Sequence, residues 1–253
     1  MGRVDTINAA HQTDDWLTHA QLKVPDRLSG HEALFDHHGV ARTGVLHLGG
    51  SIGEELETYI ALGFRNILFV EPNPVQFEKL SAHVGFWQSW LDQLDRLSDS
   101  PRHVRIAAVC AAASDADGTS TLHLACDPGE SSLCEPMPQF IETQGKVAVD
   151  TRRVDGLIAA QGFDLKDFDV MVADVQGGEL LAFQGAPAVL ANLRMIVTEV
   201  NYQPRYLQSA SEPQVDRFLT DAGYRAVLQR RATPWVVAGD TVYVRSTNSE
   251  GAP

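Results

Sequence analysis

Short apolar runs alternate along the chain with longer amphipathic stretches. Val45, Leu46 and Leu48 surround His47 in a mostly apolar run with the length and flanks of a buried parallel strand. Gly49, Gly50 and Gly53 then turn the chain, a helical pattern follows, and a second apolar run over 67–70 ends in Glu71. Residues 74–84 predict the next helix, with Pro74 in its first turn. Residues 85–100 carry Trp87, Trp90, Leu91, Leu94 and Leu97 at helical spacing. They predict a separate, inserted amphipathic helix whose stripe serves the core, a homodimer interface or a lid over the substrate.

A third strand is expected over 104–110, and Asp117-Gly118 predicts a hairpin turn into a strand over 119–124. An extended stretch over 147–152 runs into a helix opening at Val154. A fourth strand over 168–173 ends in Asp174, with a helix over 180–190 behind it, and a fifth over 195–198 ends in Glu199-Val200-Asn201. A helix over 212–222 stops at Gly223, and two closing strands carry Val227, Leu228, Trp235 and 241–245. Strands alternating with helices predict an α/β fold built on a doubly wound, mostly parallel sheet. Residues 1–43 are polar, with Trp16, Leu17 and Leu22 marking one short helix, and read as an N-terminal helical extension capping the sheet or the site. The domain proper is expected over 44–246, with 247–253 as a tail.

At 253 residues the chain fits one such domain with extensions. Thirty-three acidic residues against 20 basic give a net charge of −13, which makes nucleic acid and anionic membrane surfaces poor partners. Cys110, Cys126 and Cys134 match no usual zinc spacing and read as free thiols of a cytoplasmic protein. No apolar run approaches a membrane span. Met1-Gly2 through Thr6 formally fits the myristoylation pattern, but no basic cluster supplies a second anchor. Asp36-His37-His38 reads as a polar helix end running into Gly39 rather than a metal triplet.

A glycine turn with an acid on the second strand tip about 20 residues later holds the ribose of a nucleotide-type cofactor. Dinucleotide enzymes and S-adenosylmethionine enzymes share that geometry. The dinucleotide pattern needs glycines at i, i+2 and i+5, and the frame using Gly50 and Gly53 puts Leu48 at i. Glu71, Asp174 and Glu199 each close a strand, so they belong on one rim, where like charges repel unless a cation lies among them. A sulfonium suits that rim. An NAD-type oxidoreductase and a non-catalytic S-adenosylmethionine-binding domain are the competing readings.

The stretch resembles the FkbM-type methyltransferases, which share the glycine turn with Gly53-Glu54-Glu55, the strand end Glu71-Pro72-Asn73-Pro74, the serine-rich Gly129–Leu133 segment and Asp174-Val175-Gln176-Gly177-Gly178-Glu179. Val172 stands where that pattern usually has lysine. The resemblance implies a class I methyltransferase-like (Rossmann-like) seven-stranded sheet and an O-methyltransferase acting on a hydroxyl of a sugar, glycolipid, carrier-bound glycan or polyketide-type natural product. It implies S-adenosylmethionine contacts at His47, Gly49, Gly50, Ser51, Gly53, Glu54, Glu71, Pro72, Ala112 and Asp174. Two catalytic routes are open. In one, Asp174 or His47 acts as general base with Glu199 on the rim. In the other, a magnesium ion is held by Asp174, Glu199 and Asn201, an arrangement similar to that of catechol-type methyltransferases.

Overall fold

The computed structural model describes residues 32–229 and 238–246. The expected N-terminal helix and cap over residues 1–31, Trp235 and the tail over 247–253 lie outside them. The described chain begins with helix α1 (Glu32–His37), which buries Phe35 and ends in the exposed Asp36 and His37, followed by the half-buried His38.

Seven strands build the central sheet. β1 (Gly44–Leu48) is buried along its whole length and pairs in parallel with β2 (Asn66–Val70) on one side and β8 (Val170–Ala173) on the other. β3 (Arg105–Val109) extends the β2 side, and β9 (Met195–Asn201) the β8 side, again in parallel. β12 (Ala238–Arg245) pairs antiparallel with β9, and β11 (Tyr224–Gln229) antiparallel with β12. The resulting order is β11-β12-β9-β8-β1-β2-β3. Burial on both faces explains why the inner strands read as continuous apolar runs instead of alternating ones. Leu46, Leu68, Met171 and Ile196 pack on one face, and Val45, Ile67, Val170 and Val197 on the other.

Helix α2 (Leu56–Leu62) stops at Gly63, whose left-handed conformation turns its N–H back onto the last turn. Helix α3 (Pro74–Leu97) opens on Asn73, whose side chain accepts from Val75 N at 3.1 Å, and it runs unbroken through Gly85. No separate inserted helix therefore exists over 85–100. A mid-helix glycine costs only about 1 kcal/mol, and Leu80, Val84 and Leu91 bury on one side across it. Of the expected stripe, Leu91 enters the core and Trp87 donates to Glu57 at 3.0 Å, while Trp90, Leu94 and Leu97 stay exposed.

The chain then leaves the main sheet. β4 (Ala112–Ser114), β5 (Gly118–Ala125) and β7 (Thr143–Arg153) form a three-stranded sheet in the order β4-β7-β5. The expected hairpin at Asp117-Gly118 thus does not pair its own arms: β7 inserts between them, and Asp117 accepts from Arg153 N at 2.7 Å. β6 (Glu135–Pro136) and β10 (Tyr206–Leu207) form a small antiparallel pair. After helix α4 (Val154–Ala160), the helix expected over 180–190 is two helices, α5 (Glu179–Gln184) and α6 (Pro187–Asn192). Gly185 lies so near β4 that a Cβ there would sit 1.9 Å from Ser114 O, and Pro187 restarts the helix. α7 (Glu212–Asp221) is opened by a Ser211–Gln214 capping box. No described helix is long and apolar enough to cross a membrane.

Candidate cofactor and active site

The carboxyl ends of β1, β2, β8 and β9 face one rim, as ligand sites in open α/β sheets require. Leaving β1, Gly49 adopts φ 84°, and a Cβ on it would lie 1.8 Å from the Asp174 carbonyl oxygen. The turn and the end of β8 therefore touch backbone to backbone, a packing reason for the glycine beside the ligand one. Ser51 holds φ 45°, unusual for a residue with a side chain, and this aims its N–H at Glu71 Oε2, 2.9 Å away. Asn73 N donates to the other oxygen, Glu71 Oε1, at 2.7 Å. Glu71 is buried, and burial, only partly offset by these donors, pushes its carboxyl up to about 7.

His47, Gly49, Ser51, Glu54, Glu71 and Asp174, all expected from the sequence, line one polar cavity of about 200 Å³ with Glu55, Pro128 and Gly129. The expected carboxylate pair at the helix start divides. Glu54 is exposed, whereas Glu55 is buried with Oε2 3.9 Å from His47 Nδ1. Glu55, at the N-cap of α2, was not among the site residues expected from the sequence. His47 is 2% exposed, packs on Phe69, and its Nδ1 lies 2.9 Å from the Tyr59 hydroxyl. Gly50 and Gly53 do not line the cavity; a Cβ at Gly50 would meet the Phe69 ring, and one at Gly53 would meet Leu80. A second, more apolar cavity shares Gly49 and Glu71 and adds Pro72, Ala112, Leu122, Leu133 and Val175. The serine-rich segment closes both cavities, Gly129 over the first and Ser132 and Leu133 over the second.

The loop after β8 is braced from below. Glu179 Oε1 accepts from Val175 N at 3.1 Å and Gly177 N at 3.2 Å, and its burial pushes this carboxyl also up to about 7. Gln176, at φ 53°, donates through Nε2 to Asp174 Oδ1 at 2.5 Å and to Glu199 Oε2 at 3.2 Å. Ser132 Oγ donates to Gln176 O at 2.6 Å, tying the serine-rich segment to this loop. β9 runs on through Asn201, so Glu199 and Asn201 share a face inside the strand. The amide between Asp174 and Glu199 takes the position that the magnesium reading needs. Among the described residues no group of three or more His, Cys, Asp and Glu could hold a metal ion. With Gln176 Nε2 hydrogen-bonded to both Asp174 and Glu199, the structure lends the expected magnesium no support. Asn201 is instead buried, with neither amide atom hydrogen-bonded in the structure. Val172 is fully buried in the core, so no amine stands at that point of β8. Cys110, Cys126 and Cys134 are all free thiols.

Residues 56–226, more than half of the chain, match the methyltransferase FkbM domain model. The chain belongs to the FkbM methyltransferase family. The FkbM match opens just after the glycine turn and includes Glu71, the serine-rich segment, Asp174 and Glu199. Among solved structures, an FkbM methyltransferase from Methylobacillus flagellatus KT superposes with a TM-score of 0.50 at 16% identity, covering 95% of this chain and 60% of that one. The chain thus spans less than two thirds of that protein. A S-adenosylmethionine-dependent methyltransferase from Clostridium acetobutylicum ATCC 824 gives 0.47 at 8% identity, covering 96% and 100%. The likeness to the first is one of fold, and the seven-stranded, mostly parallel sheet is the class I methyltransferase-like sheet expected from the sequence. No curated protein matches the chain.

Proposed function

We propose that this FkbM-family chain transfers a methyl group from S-adenosylmethionine to a hydroxyl of a sugar, glycolipid or polyketide-type natural product. The observation that carries the reading is the acid-lined cavity at the carboxyl ends of the parallel strands, joined through Gly49 and Glu71 to a more apolar pocket lined by Pro72, Ala112, Leu122 and Leu133. Glu71 would hold the ribose hydroxyls, since each of its oxygens accepts one N–H and keeps acceptor capacity for a second donor. Pro72, Ala112, Leu122 and Leu133 would enclose the adenine. Glu55 and Asp174 would face the charged amino acid end.

Bound there, S-adenosylmethionine supplies an electrophilic methyl group on a positively charged sulfur. The chain must place an oxygen in line with it, exclude water and accept the hydroxyl proton. Asp174 is the group assigned to the proton, because it lines the cavity just past the end of β8. His47 supports the wall instead, its Nδ1 engaged by Tyr59. Equilibrium titration with S-adenosylhomocysteine, followed by turnover on a panel of glycosides and polyketide alcohols, tests the reading. Asp174→Asn should bind S-adenosylhomocysteine and lose at least about a hundredfold in turnover. Absence of cofactor binding by the wild type would refute the proposal, and transfer confined to amines would refute the hydroxyl assignment.

A further inference from the structure

Two carboxylates, Asp174 just past the end of β8 and Glu199 inside the neighbouring β9, meet across one neutral amide. Gln176 Nε2 serves both Asp174 and Glu199. A carboxylate ion offers acceptors only, so the amide can stand one way, nitrogen toward the acids and oxygen away. Its oxygen accepts from the Tyr206 hydroxyl at 2.7 Å, whose single proton is shared with the more distant Glu130 carbonyl at 3.0 Å. Tyr206 is 1% exposed, and Glu130 is bound in turn by Arg205. Gln176 is thus held at a positive φ with both ends of its side chain engaged, a conformation that surroundings must enforce.

We propose that Gln176 is a positioning residue which, itself pinned by Tyr206, holds the Asp174 carboxylate in one orientation at the cavity wall and so sets the site's preference for the sulfonium cofactor over its neutral thioether product. This rests on the methyltransferase reading above. By giving each acid its own hydrogen, the amide removes the need for a proton shared between them. Asp174 lines the cavity directly. Cofactor and product carry the same ribose and adenine and differ in the charge on sulfur. A loosened fold weakens both ligands alike, whereas a displaced Asp174 changes the ratio of their affinities.

The test is isothermal titration of wild type, Gln176→Leu and Tyr206→Phe with S-adenosylmethionine and, separately, S-adenosylhomocysteine. Gln176→Leu should lower the preference for the sulfonium about tenfold and Tyr206→Phe about threefold, with product affinity changed less than about threefold. Equal losses for the two ligands in both variants, leaving the ratio unchanged, would overturn the assignment. Should Gln176→Leu fail to give a cooperative melt, Tyr206→Phe decides alone, because it keeps the ring and removes only the hydroxyl. A wild type that binds neither ligand refutes the cofactor reading and this proposal with it, and is told apart from the preceding result by that wild-type titration.

Discussion

Lowering the pH from 8 to 5.5 should weaken cofactor binding through Glu71. Its carboxyl is buried, takes one N–H on each oxygen and titrates at about 7, against 4.5 ordinarily. A ribose diol brings two hydroxyl donors that favour the ionised form, and a hydrogen bond to a charged acceptor contributes about 1.5–3 kcal/mol. Taking about 2 kcal/mol, at about 1.4 kcal/mol per tenfold, the bound carboxyl titrates below the free one and the ionised enzyme binds about 30-fold more tightly than the protonated one. Affinity for S-adenosylhomocysteine should therefore be nearly flat at pH 8 and fall by about 15-fold by pH 5.5, the full factor being reached only at lower pH. Between those limits binding releases a proton, visible as a titration heat that changes with the ionisation enthalpy of the buffer. Glu71→Gln should bind weakly with no such dependence. A wild-type affinity that is constant from pH 8 to 5.5, with heats independent of buffer, would refute the placement of the ribose on Glu71.

The same linkage acts on unliganded stability with the opposite consequence. Glu71 and Glu179 both titrate at about 7 in the fold and are raised from 4.5, so their contribution is fully present below pH 4.5 and is lost as pH rises through 7. Urea unfolding should show Glu179→Gln, which keeps an acceptor for Val175 N and Gly177 N without the buried charge, more stable than wild type by about 1–3 kcal/mol at pH 8 and equal to it near pH 4.5; a less stable variant at pH 8 would contradict this. Gly49→Ala should lose about 3 kcal/mol or more, since it needs both a left-handed backbone and a Cβ 1.8 Å from Asp174 O; a wild-type melting curve would exclude that backbone contact. Gly85→Ala, exposed in the middle of α3 with nothing within 4 Å of its Cβ, should gain about 0.5–1 kcal/mol. Loss of stability there would mean that α3 is broken at Gly85.

The order of apolar runs and turns by itself placed the strands of the central sheet of this FkbM protein, because a strand buried on both faces reads as a continuous apolar run. It also placed Glu71 and Asp174 correctly at strand ends, since a residue following an apolar run must emerge at the rim. Pairing in space lay beyond it. Asp117-Gly118 has the chemistry of a hairpin turn, yet β7, 25 residues further on, takes the place between its arms because its extended backbone satisfies both edges. Likewise Gly85 looked like a helix end until packing of Leu80, Val84 and Leu91 carried α3 across it. The distinction between Glu54 and Glu55 depends on which way the first turn of α2 faces, and only the packing of α2 on β1 decides that. Most consequential is Gln176. In the sequence it is one polar residue between Val175 and Gly177; in the fold it lies between two carboxylates from different strands and a tyrosine 30 residues away. Such a contact exists only when distant strand ends converge, and it is this convergence, not any local propensity, that turns an acid rim into an ordered site.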